Sequence, residues 1–172
     1  MRRLIYVEDT YGIEFHRKLL EKLRASGIVG SSPTPRIERK PVQKCNTAMR
    51  RKVLARAVEG PVKVLFVIDA EGERNAEVLF VLRHLKKLPP HVQVRVIAVE
   101  PKHEAWLCIG LGGNRSHCHW NPELELCKLR RVVEYRKEYL GDWADSLDVN
   151  KLLGEHDFQR YLNHLRWIIE DP

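Results

Sequence analysis

Two places in this chain combine acidic residues in a way that could do metal chemistry. Glu8 closes the apolar run Leu4-Ile5-Tyr6-Val7, and Asp69 and Glu71 follow a second apolar run over residues 62–68. A carboxylate at one strand end and a D-x-E pair at another can hold a divalent cation. Mg²⁺ takes hard oxygen ligands and keeps several waters, so one to three carboxylates suffice. The i, i+2 spacing of Asp69 and Glu71 suits this, because alternate side chains at a strand-to-loop junction project to the same side. Acids at strand ends also cap helices and solubilise a surface, and spacing alone leaves both readings open.

A second chemistry is suggested by charge. The 172 residues carry a net charge of +7, from 30 Lys and Arg against 23 Asp and Glu. Residues 36–56 hold Arg36, Arg39, Lys40, Lys44, Arg50, Arg51, Lys52 and Arg56 against the single acid Glu38, so this stretch accounts for the whole excess. A concentrated basic segment on an otherwise neutral body fits a polyanion, nucleic acid first, or a solvated helix face. Lys44 stands at an expected helix start with Arg50 and Arg51 a turn further on. Free backbone N–H groups and cationic side chains there can grip a phosphate, with Lys40 extending the track.

Histidine and cysteine offer weaker signals. His103, Cys108, His117, Cys118, His119 and Cys127 invite a zinc reading, but the paired C-x₂-C spacing is missing, so structural zinc is not expected. Cys108 reads as a core thiol beside Trp106 and Leu107. Cys118 can pair with Cys127 or Cys45 where intracellular disulfides persist. His16, His84, His91 and His164 read as solvent residues. The four tryptophans read as core or lid packing, with Trp120, in a loop, able to stack a base. Gly110-Leu111-Gly112-Gly113 follows a helix and leads into a loop, the reverse of a pyrophosphate-binding turn.

The elements that must carry these residues follow from hydrophobic periodicity. Strands are expected at 4–7, 36–42, 62–68 and 92–99, the third being near-continuously apolar as a central parallel strand should be. Helices are expected at 11–26, from 46 or 47 to 58, at 74–87, 103–109, 123–140 and 157–169, with a Gly- and His-containing loop over 110–121. Strands alternating with helices argue a parallel α/β sheet, and such sheets bind ligands beyond the C-terminal ends of their strands. Glu8, Asp69 and Glu71 all fall there. A composition 44% hydrophobic and 31% charged supports a real core. No apolar run approaches the roughly 20 residues of a membrane helix, and the first acid follows a run of only four apolar residues. The expectation is a soluble, cytoplasmic protein with no membrane partner.

The order Leu4-Ile5-Tyr6-Val7-Glu8, a helix, then Val64-Leu65-Phe66-Val67-Ile68-Asp69-Ala70-Glu71-Gly72 resembles a Toprim domain. This is the catalytic module of topoisomerases, primases and OLD-type nucleases. Its signature is a Glu after the first strand and a D-x-D after a later one, on a Rossmann-like parallel sheet. The chain is more similar to small, stand-alone Toprim-like proteins of archaea and bacteria. Those carry a Glu-x-Trp element after the fourth strand, matched by Glu104-Ala105-Trp106, and a terminal helix beginning near a Phe, matched by Asp157-Phe158. Two positions differ from the signature: Asp9 follows Glu8 where Gly is usual, and Glu71 replaces the second Asp.

The resemblance implies a Toprim-like α/β core over residues 1–110 and a helical extension over 111–172 packed on the same domain. It implies that Asp69 and Glu71 bind Mg²⁺ or Mn²⁺, with Glu104 a further ligand or simply a helix N-terminal acid. Glu8 would be a general acid/base or complete the metal shell during phosphodiester cleavage in DNA or RNA. The alternatives are a nucleic-acid-binding protein without turnover, a receiver-like signalling domain built on Glu8, Asp9 and Asp69, or one subunit of a homodimer or partnered assembly.

Overall fold

The computed structural model describes residues 1–42, 47–71 and 74–172. Lys44, Cys45 and Gly72 therefore lie outside the described residues. Four strands form one parallel sheet in the order β2-β1-β3-β4: β1 is Arg2–Val7, β2 Arg36–Arg39, β3 Val62–Asp69 and β4 Val92–Val99. The register aligns Val7 with Arg39 on one side and with Val67 on the other, and Val67 with Ile97.

Side chains alternate across a strand, so each strand feeds two cores. Ile5, Val7, Leu65, Val67, Ile97 and Val99 belong to one cluster. Leu4, Tyr6, Val64, Phe66, Ile68, Val96 and Ala98 belong to the other. Both clusters exclude water, which is why β3 reads as continuous apolar sequence. The first is covered by α1 (Thr10–Ala25), α4 (His103–Gly110) and α8 (His156–Glu170), through Phe15, Leu19, Trp106, Phe158, Tyr161 and Leu165. The second is covered by Met49 and Val53 of α2 (Thr47–Ala55), Val81 of α3 (Arg74–His84) and Leu85 just beyond it. The result is an α/β protein with a parallel sheet flanked by helices on both faces. Among the described residues no helix is long and apolar enough to cross a membrane.

Three sequence expectations are corrected here. The 110–121 loop contains a short helix, α5 (Arg115–Trp120), because the Asn114 side chain accepts from the His117 N–H and caps it. The single helix expected over 123–140 stops early: α6 is Pro122–Arg130, Arg131 adopts left-handed backbone (φ 57°), and α7 is only Tyr139–Asp142. That segment is charged on all sides. Leu126 is buried, whereas Leu129 and Val133 are exposed, so no apolar stripe holds a longer helix on the core. The third correction concerns sulfur. Cys118 pairs with Cys108, not with Cys127 or Cys45, and Cys127 is a free thiol. Gly113 lets the chain fold back this tightly, since a Cβ there would lie 2.7 Å from the Cys118 sulfur and 2.8 Å from that of Cys108.

Lys63 is a charge in an apolar strand, 1% exposed. Its Nζ donates to the carbonyls of Trp167 (3.2 Å) and Asp171 (3.0 Å), satisfying acceptors at the negative end of α8. Burial pushes its pKa below the usual lysine value. Lys63→Ala should cost about 2–4 kcal/mol in denaturant unfolding, from lost stem packing and unpaired carbonyls. Lys63→Met, which keeps the stem, should recover part of that loss.

Candidate functional site: an acidic cavity at the switch point of the sheet

The chain leaves β1 for β2 on one side and returns to β3 on the other, with α1 and α3 on opposite faces. The boundary between β1 and β3 is therefore the topological switch point, where parallel sheets open a crevice beyond their carboxyl ends. A cavity of about 280 Å³ lies there, and Glu8, Asp69, Glu71 and Glu104 all line it. Asp9 and Glu123 add further carboxylates, against Lys102 and Lys137. Four acids named from the sequence thus converge from β1, β3 and α4 on one opening.

Each has a distinct fixation. Glu8 accepts from the Asp69 backbone N–H through Oε2 (3.1 Å) and from Lys40 Nζ through Oε1 (2.6 Å). Asp69 accepts both the His103 backbone N–H (2.9 Å) and His103 Nδ1 (2.5 Å) on the same oxygen, Oδ1, so its second oxygen is not committed to His103. Burial by itself would raise the Asp69 carboxyl; the His103 imidazole and its hydrogen bonds outweigh that and hold it below the ordinary value. Glu104 sits in the first turn of α4 and accepts from the Tyr135 hydroxyl at 3.3 Å. Burial, reinforced by the charge of Asp69, raises its pKa. Glu71 is exposed and holds left-handed backbone (φ 49°), with its N–H donating to Pro101 O at 2.7 Å. Such conformations cost energy in a non-glycine residue and cluster at functional sites. Asp9 caps α1 through the N–H groups of Tyr11 and Gly12.

Behind Asp69 runs a buried relay. His103 Nε2 lies 2.7 Å from His16 Nε2, and His16 Nδ1 lies 3.2 Å from the Tyr161 hydroxyl. His16 is completely buried, which corrects its reading as a solvent residue. The missed signal is spacing: Gly12, Phe15, His16, Leu19, Leu20 and Leu23 form one i, i+3, i+4 stripe, all of it buried. The chain closes whether or not His103 carries a second proton, because His16 can switch tautomer and Tyr161 can donate or accept.

Opposite pH slopes follow. Burial, with help from the charge of His103, drives the His16 pKa well down, so its unfolded form takes up a proton below about pH 6.5 that the folded form refuses. Burial would lower His103 too, but Asp69 outweighs it and the net shift is upward. Its contribution is complete below the unfolded value and is lost as pH rises through the folded one. Measured with chelator from pH 7.5 to 5.5, the stability deficit of His16→Gln relative to the parent should shrink on acidification, and that of His103→Gln should grow. Each slope is bounded by about 1.4 kcal/mol per pH unit.

The basic stretch does not form one free track. Lys40 turns inward to Glu8, and Arg56 pairs with Glu38 at 2.7 Å. Arg50 donates to the carbonyls of Lys86 and Lys87, while Arg51 and Lys52 are exposed. The residues of the zinc reading are dispersed: Cys108 and Cys118 are joined, His117 faces Glu125, and His119 faces Glu155. Among the described residues no three His, Cys, Asp or Glu side chains are gathered closely enough to form a ready cation shell.

Fold and site together define an α/β protein with a Rossmann-like parallel sheet and an acidic cavity at its switch point. No family model matches the sequence, no curated protein matches it, and no solved structure matches the fold.

Proposed function

We propose that this chain is a small Toprim-like protein that cleaves nucleic-acid phosphodiesters with Mg²⁺ or Mn²⁺. One observation carries the reading: Glu8, Asp69, Glu71 and Glu104 line a single cavity at the switch point. Six carboxylates around an opening that also holds two lysines would repel a phosphate unless a cation offset them. The donor set fits the proposed metal, being hard oxygen throughout, which suits Mg²⁺ and Mn²⁺ and not a thiolate-seeking ion.

Asp69 and Glu71 would hold the ion, with Glu104 as a further ligand. When bound, such an ion neutralises developing phosphoryl charge and lowers the pKa of its water. The protein's own groups do the rest. Lys40 and the Asp69 N–H hold the Glu8 carboxylate against β3, where it can accept a proton from the attacking water. His103 fixes the Asp69 carboxylate from behind. Lys102 and Lys137 bring cationic charge to the rim for the incoming phosphate, and Arg51 is an exposed cation on α2 for the rest of the strand.

The test is purified protein against single-stranded, duplex and structured DNA and RNA, each with Mg²⁺, Mn²⁺ or chelator. Metal-dependent cleavage supports the reading. A second reading, a nucleic-acid-binding protein without turnover, draws on the absence of a ready three-residue shell among the described residues. Binding to these substrates with no cleavage under any metal would select it.

A further inference from the structure

Trp120 is, among the described residues, the most exposed aromatic. Its indole is 79% exposed, whereas Trp106 and Trp167 are buried and Trp143 stacks on Tyr139 at 4.2 Å. An exposed indole presents a wide, flat π-face at the surface. Trp120 borders a second, more open cavity of about 420 Å³, together with Pro101, Asn121 and Pro122. Glu71, Lys102 and Glu123 line both this cavity and the acidic one, so the two adjoin. The volume falls in the range of about 300–1,000 Å³ that small ligands occupy.

The mounting of the indole is rigid. Cys118, two residues before it, is fully buried and tied to α4 by the disulfide. Asn121, directly after it, donates its N–H to His117 O and caps α6 by accepting from the Leu124 N–H. A platform whose backbone is fixed on both sides and whose ring is open to solvent is suited to stacking a flat ring, because little backbone freedom remains to be lost. The two prolines and the asparagine supply an apolar wall and an amide edge beside it.

We infer that Trp120 is the stacking platform for an unpaired nucleobase next to the phosphate held at the acidic cavity, which makes the substrate a single-stranded nucleic acid. This rests on the function proposed above. A base still paired in a duplex cannot present its face to the indole, so strand pairing and Trp120 compete for the same surface.

The experiment is binding of a fluorescent twelve-nucleotide strand in Ca²⁺, a hard cation that offsets the carboxylates while Mg²⁺ and Mn²⁺ are withheld, alongside an abasic strand of equal length and a duplex. Trp120→Ala should weaken binding of the base-containing strand about tenfold or more, and Trp120→Phe should restore most of it. Abasic and duplex binding, and Mn²⁺ affinity, should not change. Parental affinity of Trp120→Ala for the base-containing strand overturns the inference while leaving the nucleic-acid reading intact. If the parent binds no strand at all, both fail.

Discussion

Asp69→Asn should lower metal-dependent cleavage by at least about 100-fold and leave a folded protein. The amide keeps the shape and one acceptor oxygen, so it can still take the His103 N–H and Nδ1 bonds that anchor position 69. What it loses is the charge that holds a hard cation, and a metal supplies several kcal/mol of transition-state stabilisation. Loss of the charge facing His103 should also reduce stability by about 1–3 kcal/mol near pH 6. The two effects separate cleanly, because the second is visible in chelator and the first is not. If Asp69→Asn cleaves like the parent, the activity belongs elsewhere.

Glu8→Gln should have the next largest effect and a different signature. Glu8 touches β3 through the Asp69 N–H and touches Lys40 through its other oxygen, so it is placed beside the proposed ligands without being the residue that faces His103. As acid/base it should cost about 10²- to 10⁴-fold in turnover. Mn²⁺ affinity, read by paramagnetic relaxation or calorimetry, should move by less than about tenfold. A parallel collapse of affinity and turnover would make Glu8 a ligand. Asp69→Asn should lose both together, and that contrast separates the two roles.

The strand ends were the most legible part of the sequence, for a physical reason. A buried parallel strand is apolar over most of its length, so the first acid toward its carboxyl end marks where the chain leaves the sheet. Val7-Glu8 and Ile68-Asp69 mark this without ambiguity, and the sheet order then brings them side by side. Glu104 was legible because α4 begins where β4 delivers it. The relay behind Asp69 was harder to see. His16 lies on an apolar helix stripe, yet histidine is also common on charged faces, and its partners His103 and Tyr161 are 87 and 145 residues away. The ends of the helices between residues 110 and 142 were lost because they depend on caps and a left-handed residue, Arg131, and not on periodicity. The fate of the basic stretch was equally hidden. Nothing in Lys40 itself shows that it turns to Glu8 while Arg51 stays in solvent.

The central claim is that the strand-end carboxylates hold a divalent metal. The direct measurement is a crystal structure of the protein soaked in Mn²⁺, with anomalous maps to locate the ion. The account predicts one strong peak in the cavity between β1 and β3, with Asp69 and Glu71 oxygens at about 2.1 Å and Glu8 within reach of a bound water. It further predicts that the same soak of Asp69→Asn shows no peak there. A saturating soak of the parent that leaves this cavity without an ion, or places Mn²⁺ only at carboxylates elsewhere on the surface, would contradict it.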